Sequence, residues 1–519
     1  MASTFFGLTI AYTGLQAAST SVNVTAHNIA NINTKGYSRQ MVTVKANEAI
    51  RTHARYGTLG AGVDVTDINQ LRDSYYDDKY RNNEALYGEY SNKYNYMTQI
   101  EDYFNEFSLK GYCQEYNDFY AAVNQLTLTP GESSAKNALI NKATSLANYF
   151  NTLYTNMQNV QKDINSEVKS QVDEINTIAQ NIAALNKQIN HIEACYGNAN
   201  DLRDQRNVLV DNLSKIVNTS VSETSIGNGL TEYNVYINGQ AIVNSYAHRS
   251  LEVVARADGN KRNESDVDGL YDIQWENGGS FNIYSSSLGG TLKGLIDVRD
   301  GCNGGYEQIA VDADGNEVTD SDGNRTLEVV TKEGSNVNYK GVPYYLSQIN
   351  KFVQIFSDSV NKVMTSGYTE DGQPGEALFK AAGTGVMNAQ NICVNSNIIN
   401  DNTRLPVKAT ASAGESDATL MEKISALQSQ KIYNGGTGAY FLESMVSDVS
   451  IDSSKATNMQ INYQSLKKTI NNQRLSVMGV DTEEEAMDLM KYQQAYNLNS
   501  KMMSVMNELY DRLINQTGL

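Results

Sequence analysis

The strongest constraint on this chain is a pair of narrow apolar stripes at its two ends. Leu8, Tyr12, Leu15, Ser19, Val22, Ala26 and Ile29 recur at alternating steps of four and three residues, and Leu489, Tyr492, Tyr496, Asn499, Met503, Met506, Tyr510 and Leu513 do the same. Such spacing marks a helix with one seam, too narrow for an ordinary globular helix and suited to a coiled coil. A helix of this kind is marginal by itself and needs an apolar partner. Each of the two seams must therefore lie against something apolar. Asp481 and Thr482, followed by Glu483, Glu484 and Glu485, form a capped acidic start for the second helix. With so little to bury, both ends are expected to become ordered only on packing with neighbouring copies. The polar seam residues Ser19 and Asn499 either specify register or are merely tolerated in a wet seam.

The middle extends the helical theme. Ile175, Ile178, Ile182, Leu185, Ile189 and Ile192 form one seam, and Leu346, Ile349, Val353, Phe356, Val360 and Val363 another. Residues 69–108, 133–193, 343–365, 415–432 and 440–477 read as helices, and 4 prolines in 519 residues force few breaks. The character changes between Leu213 and Tyr345. Thr231–Ile237 alternates, Asn238-Gly239 is a two-residue hairpin turn, and Gln240–Val243 follows. Leu251–Ala255, Tyr271–Trp275 and Phe281–Tyr284 read as further strands.

The expected fold is therefore mainly α with inserted β: an elongated multi-helix rod in antiparallel bundle form, in which the chain goes out through helices, makes a β domain and returns, so that its two termini sit side by side at one end. The expected parts are residues 1–65 with 479–519 as a terminal assembly domain, and 66–216 with 343–365 and 411–478 as a helical rod. Residues 217–342 form a β-rich domain, and 366–410 a small insert of irregular and β character.

Composition removes several classes. A net charge of -18 repels nucleic-acid phosphates. No run of about 18 apolar residues suggests a membrane span. The 4 cysteines, Cys113, Cys195, Cys302 and Cys393, share no spacing and form no C-x-x-C. Met1 to Ser21 carries no Lys or Arg and no apolar core, so it does not read as a cleaved secretory signal. His191 and Cys195 stand four apart, but nothing nearby completes a metal set. His27, His53 and His248 lack the neighbours of a catalytic triad, and no metalloprotease, nucleophile-elbow or phosphate-loop motif occurs. Asp312–Asn316 and Asp320–Asn324 resemble calcium loops only faintly and read better as acidic turns. Gly57–Gly62 reads as a flexible loop, and the tyrosines from Tyr75 to Tyr120 as helical core and bundle surface rather than an adhesive face. No catalytic residue, cofactor or metal is expected.

The segment Ala26-His27-Asn28-Ile29-Ala30-Asn31-Ile32-Asn33-Thr34-Lys35-Gly36-Tyr37-Ser38-Arg39-Gln40 carries the recognisable signal. A helix should end near Ile29–Ala30. The asparagines can bond their own backbone, Gly36 permits a positive φ, and Tyr37 should open a strand. This segment resembles the signature of flagellar rod, hook and hook-associated proteins, and its Tyr37-Ser38-Arg39-Gln40 ending looks more like the hook-associated branch. Leu202-Arg203-Asp204-Gln205-Arg206-Asn207 through Leu213-Ser214, Gly289-Gly290-Thr291-Leu292-Lys293-Gly294-Leu295 with Arg299-Asp300, and Val480–Glu485 with Leu489 to Tyr496 are similar to further blocks of that branch. The likeness fades over about 303–342 and 366–412, and Asn207 stands where the family pattern has Asp.

The resemblance implies a mostly helical rod with its N- and C-terminal helices paired as an inner coiled coil, and a structural subunit of the bacterial flagellum rather than an enzyme, placed where hook meets filament. It implies self-association in a ring or helical layer. Further partners would be hook protein, a second hook-associated protein on the filament side, and an export chaperone. It also implies an extracellular address reached by type III export without a cleaved peptide. The expected assembly interface is Leu8, Tyr12, Leu15, Val22, Ile29, Leu489, Tyr492, Tyr496, Asn499, Met503, Met506, Tyr510 and Leu513. The expected motif loop is Asn28, Asn31, Thr34, Gly36, Tyr37, Ser38, Arg39 and Gln40. Two other readings stand beside it: a hook or distal-rod subunit, and an adhesin or enzyme active through the β insert.

Overall fold

A computed structural model describes residues 6–51, 57–108, 112–195, 197–227, 229–257, 261–301, 306–309, 327–330, 339–383, 385–433 and 435–516. In chain order, helix α1 (Phe6–Ala30) leads into β1 (Gln40–Ala46), β2 (Ile50–Arg51), β3 (Thr58–Leu59) and β4 (Val63–Gln70). Helices α2 (Ser74–Ser108), α3 (Tyr112–Leu128), α4 (Ser133–Glu193) and α5 (Asn200–Ile216) follow. Strands β5 (Thr219–Gly227), β6 (Leu230–Ile237), β7 (Gln240–Asn244), β8 (Ala247–His248), β9 (Leu251–Ala255) and β10 (Tyr271–Trp275) come next. Then come α6 (Gly290–Asp300), β11 (Tyr306–Ile309), β12 (Leu327–Val330), α7 (Val342–Thr365), β13 (Phe379–Ala381), β14 (Ile392–Val394) and α8 (Ser396–Asn400). Helices α9 (Thr419–Leu427), α10 (Gly438–Met478) and α11 (Thr482–Asn515) complete the chain. The fold is mainly helical, with β segments inserted between long helices.

The described residues form two compact units, one from residues 1–86, 174–250 and 463–519, the other from 87–173 and 251–462. In the first, β1 pairs antiparallel with β4 from Gln40↔Gln70 to Ala46↔Val63, and β2 pairs with β3. Strands β5 to β8 form a four-stranded antiparallel sheet in sequence order. Its β6–β7 turn has Asn238 and Gly239 both at positive φ, 47° and 76°, the two-residue turn whose twist matches a hairpin. In the second unit, Tyr116, Phe119, Tyr120, Phe150, Phe352, Phe356 and Phe379 converge in one aromatic core, with Phe352 and Phe356 stacked at 6.1 Å. Seam residues Leu346, Ile349, Val353, Phe356 and Val360 of α7 are all buried there.

Helix α4 is 61 residues long with no Gly or Pro inside it. Its Ile164, Val168, Val172, Ile175, Ala179 and Ile182 are buried at steps of three and four.

Several expectations are corrected. Phe281–Tyr284 is not a strand: Ser280 makes a lone bridge to Gln274, and the Asn282 carboxamide accepts the Tyr284 N–H, which bends the backbone into a turn. Helix α3 and strand β5 have no counterpart among the expected elements. The expected 69–108 helix starts at Ser74 because residues up to Gln70 pair with β1. Thr58–Leu59, inside the expected flexible loop, pairs with Ile50–Arg51, and Gly62 at φ +98° closes onto α1, 3.3 Å from Ile10 Cα to an added Cβ. Both acidic Asp-Gly turns, 312–324, lie outside the described residues.

Candidate functional site

The first unit sets α1 antiparallel to α11, and the contact can be read from its glycines. A Cβ on Gly7 would lie 2.7 Å from Met506 Cε, and one on Gly14 would lie 2.8 Å from Asn499 Oδ1. Further along, the Asn28 amide reaches the Glu485 carboxylate at 3.1 Å. These pairs step along both helices in multiples of seven, in opposite directions. The face of α1 so used is Gly7, Ala11, Gly14, Ala18, Ser21, Thr25 and Asn28, of which Ala11, Ala18, Ser21, Thr25 and Asn28 are buried. It is a stripe of small residues, which lets two helix backbones approach closely.

The large side chains expected at this seam stand one residue later. Leu8, Leu15, Val22 and Ile29 are half-buried and Tyr12 is 49% exposed. On α11, Leu489, Tyr492, Asn499, Met503, Met506 and Tyr510 are the sheltered positions, while Tyr496 and Leu513 are exposed. A second stripe of α11 lies outside the expected seam. Leu498, Met502, Val505 and Leu509, one residue before the sheltered positions, are 67%, 46%, 55% and 53% exposed. Its three-four spacing is visible in the sequence, but periodicity cannot say which of two adjacent stripes faces inward.

One residue is about 100° of helix rotation. In an antiparallel pair, a step forward on one helix and a step back on the other turn to opposite sides. The large stripe of α1 and the second stripe of α11 thus occupy opposite faces of the pair. On the α1 side, Ser19, Val22, Gln493, Tyr496 and Asn497 line an open groove of about 360 Å³.

At the base of the pair sits the motif loop. Helix α1 ends at Ala30, and Asn31 bonds back to the His27 carbonyl at 3.0 Å through its side chain. Thr34 Oγ1 donates to Asn31 Oδ1, and Gly36 adopts φ +81°. Tyr37 does not open the strand as expected. It turns inward, and its hydroxyl donates to Asn28 Oδ1 at 2.7 Å, so pairing begins at Gln40. Burial first, then the nearby carboxylates Asp201, Asp204 and Glu485, push the Tyr37 phenol upward, which keeps it a donor. The same Asn28 oxygen accepts the Gln40 N–H at 3.0 Å, and its amide nitrogen donates to Gln40 O at 2.9 Å.

Arg39 gathers the start of α11. Its guanidinium holds Glu485 at 2.6 Å, Glu484 at 3.0 Å and Asp488 at 3.6 Å, while its own N–H donates to the Met478 carbonyl. Burial opposes the Arg39 charge, but the bonds to Glu484 and Glu485 outweigh it and raise its pKa. Asp481 caps α11 as expected, accepting the Glu483 and Glu484 N–H groups.

From Ser38 a chain of alternating charges runs through the unit. The Ser38 N–H and hydroxyl both donate to Asp204, at 2.8 and 2.7 Å. Arg72 bridges Asp204 and Asp77; Arg474 bridges Asp77 and Asp211; Arg81 pairs with Asp211 and donates to Asn207. Burial alone would raise Asp77, but Arg72, Arg474 and Arg81 overcome it and hold its carboxyl below the ordinary range. Burial raises Asp204 in spite of its bonds to Ser38. Asn207 supplies a neutral acceptor where the family resemblance expects an acid, and Arg81 already has its carboxylate in Asp211. Arg203 forks onto Glu193 and reaches Glu223, and Arg206 lies 3.5 Å over the Tyr233 ring.

The block around Arg299 is likewise internal to the second unit. Arg299 is wholly buried, donating to Asp300, Asn165 Oδ1 and the Tyr271 carbonyl. Burial would raise Asp300, but Arg299 and Arg256 override it and hold the carboxyl far below its usual range. His191 and Cys195 are both exposed, and no group of metal-ligating side chains occurs among the described residues. No helix among the described residues is long and apolar enough to cross a membrane.

Comparison with known proteins matches these parts. The sequence model described as the flagellar hook-associated protein FlgK helical domain covers residues 97–379. The flagella basal body rod protein model covers residues 8–37, which is most of α1 and the motif loop as far as Tyr37, and the flagellar basal body rod FlgEFG protein C-terminal model covers 471–516, which contains α11. Flagellar hook-associated protein 1 of Bacillus subtilis is 26% identical, across 100% of this chain and 99% of its own length. The Salmonella typhimurium protein of the same name is 27% identical, across 97% and 98%. In fold, the chain is similar to the flagellar hook junction protein FlgK from Burkholderia pseudomallei, with a TM-score of 0.59 over 77% of this chain and 100% of that one, at 13% identity.

Proposed function

The chain belongs to the flagellar hook-associated protein FlgK family, and from that premise we propose how its geometry serves the junction between hook and filament. It is a structural subunit of the flagellum. It self-associates and contacts other flagellar components, and its role is mechanical rather than catalytic. The observation that carries the reading is the α1–α11 pair. Its small-residue stripe is satisfied within the chain, while Tyr12 stands exposed on one face and Leu498, Val505 and Leu509 on the opposite one. Unlike faces on opposite sides suit head-to-tail packing, which builds rings or helical layers rather than closed two-fold dimers.

In this reading Leu8, Tyr12, Leu15, Val22 and Ile29 form one assembly face, and the α11 stripes supply the other. Hook protein lies below and a second hook-associated protein above, so the subunit adapts one helical lattice to the next. Export through the flagellar type III apparatus, with a chaperone shielding the apolar ends, follows from the same premise. Deletion of the gene is the direct test. Intact hooks without filaments, with flagellin shed into the medium, are expected; loss of the hooks themselves would make this a hook or rod subunit instead.

A further inference from the structure

The motif loop makes a dense set of bonds inside its own chain. The Asn28 carboxamide joins four groups from three places: the Tyr37 hydroxyl, both backbone atoms of Gln40, and the Glu485 carboxylate of α11. Glu485 in turn receives Arg39, and it is the one buried residue of α11 among those described. One residue before Arg39, Ser38 clasps Asp204 of α5, which Arg72 ties to the α2 and α10 charges. The strand ladder adds the Leu71 N–H on the Arg39 carbonyl. Away from this base, every described α11 residue after Glu485 is exposed or half-buried.

We propose that this loop is a latch. Asn28 and Glu485 are positioning residues that lock the base of the α1–α11 pair, through Ser38 and Asp204, onto the α2, α5 and α10 part of the same unit. The latch gives the pair one fixed direction and sets the boundary beyond which its ends can fray in a lone subunit. This rests on the pair being the assembly element, yet the latch itself is read without assembly. The physical reason is cooperativity: a buried amide with all its bonds made tolerates only one arrangement of the groups around it, and breaking one leaves others unpaired.

The test is hydrogen exchange on the full-length soluble chain, comparing wild type with Asn28→Asp, Glu485→Gln and the double variant. Asn28→Asp places a carboxylate against Glu485 and removes the donor to Gln40 O. It should speed exchange across 36–40 and 482–490 by roughly tenfold or more, the scale of one buried charged hydrogen bond. Exchange over residues 140–170 should not change. Adding Glu485→Gln, whose amide can donate to the new carboxylate at position 28, should recover part of the protection. Filament counts in complemented cells should fall with Asn28→Asp and recover with the double variant. If Asn28→Asp proves insoluble, Ser38→Ala is expected to speed exchange at 36–40 alone. Wild-type exchange at 36–40 and 482–490 as fast as at 505–515, unchanged exchange in Asn28→Asp, or no rescue by the second substitution overturns the latch. Normal filaments despite a loosened base overturn the positioning role and leave the family reading standing.

Discussion

Gly36 is the point at which the motif loop is most sharply constrained, and Gly36→Ala is the substitution whose cost divides most cleanly. Its φ of +81° lies in the left-handed region, where a side chain costs about 1–2 kcal/mol. Independently, a Cβ built there would stand 2.1 Å from Val208 Cγ2 on α5, an overlap that must shift the loop or the helix at about 1–3 kcal/mol. The two contributions give about 2–5 kcal/mol against the first unit. Val208→Ala removes the obstructing methyl at a cost of about 1 kcal/mol on its own. The double variant should therefore be more stable than the sum of the singles by about 1–3 kcal/mol, leaving the backbone share. Far-UV circular dichroism through a urea titration measures the helical transition, while the lone Trp275, in the second unit, gives a separate fluorescence readout. A Gly36→Ala variant that unfolds with wild type would refute both the strain and the contact, and singles that add without coupling would refute the contact.

In the second unit, Arg299→Ala leaves buried Asp300 short of its closest cation and should cost about 3–5 kcal/mol, read as an earlier red shift of Trp275 fluorescence in urea. Asp77 gives a pH dependence. Its folded pKa is lowered, so its stabilisation is present above the ordinary value of 3.8 and lost as pH falls below it. Acid titration of Asp77→Asn should accordingly show a shallower loss below about pH 4 than wild type; an equal slope contradicts the assigned ion pairs. Asp204, raised by burial, has the opposite sign: its contribution is greatest below its ordinary pKa and is lost as pH rises through the raised one. On the terminal pair, Ala18→Leu should force α1 from α11 and lower helicity in the soluble chain. Leu498→Ala, at a position 67% exposed, should leave the melt within about 0.5 kcal/mol yet reduce filament number. Normal assembly by Leu498→Ala removes that stripe from the interface.

The long helices are legible because α4 and α7 repeat apolar residues over many turns with no internal breaker, and the β6–β7 hairpin because Asn238-Gly239 states its turn. Helix α3 is harder to see: its buried Tyr116, Phe119 and Tyr120 belong to a tyrosine-rich stretch in which aromatic residues also occupy the surface, Tyr75 among them. The expected strand at Phe281–Tyr284 fails because one asparagine side chain, bonding its own backbone, outweighs four residues of strand composition. The charge chain cannot be foreseen. Its members Ser38, Arg72, Asp77, Asp204 and Arg474 are hundreds of residues apart at the extremes, and only the motif blocks hint that some of them belong together.

The one-residue offset on α1 has a physical cause. Reading for apolar periodicity favours Leu, Tyr, Val and Ile, since they carry the transfer free energy. Glycine, alanine and serine carry little, yet they permit the backbone approach that places Met506 over Gly7 and Asn499 over Gly14. Where both stripes run side by side, the chain uses the small one for its own helix pair and keeps the large one on the flank, half-buried except at Tyr12. A lone soluble protein would gain by the reverse choice, burying the larger side chains. Under the proposed assembly the larger side chains meet apolar partners on other molecules, and the opposed faces of the pair, Tyr12 on one and Leu498, Val505 and Leu509 on the other, would let each copy receive one neighbour and offer itself to the next.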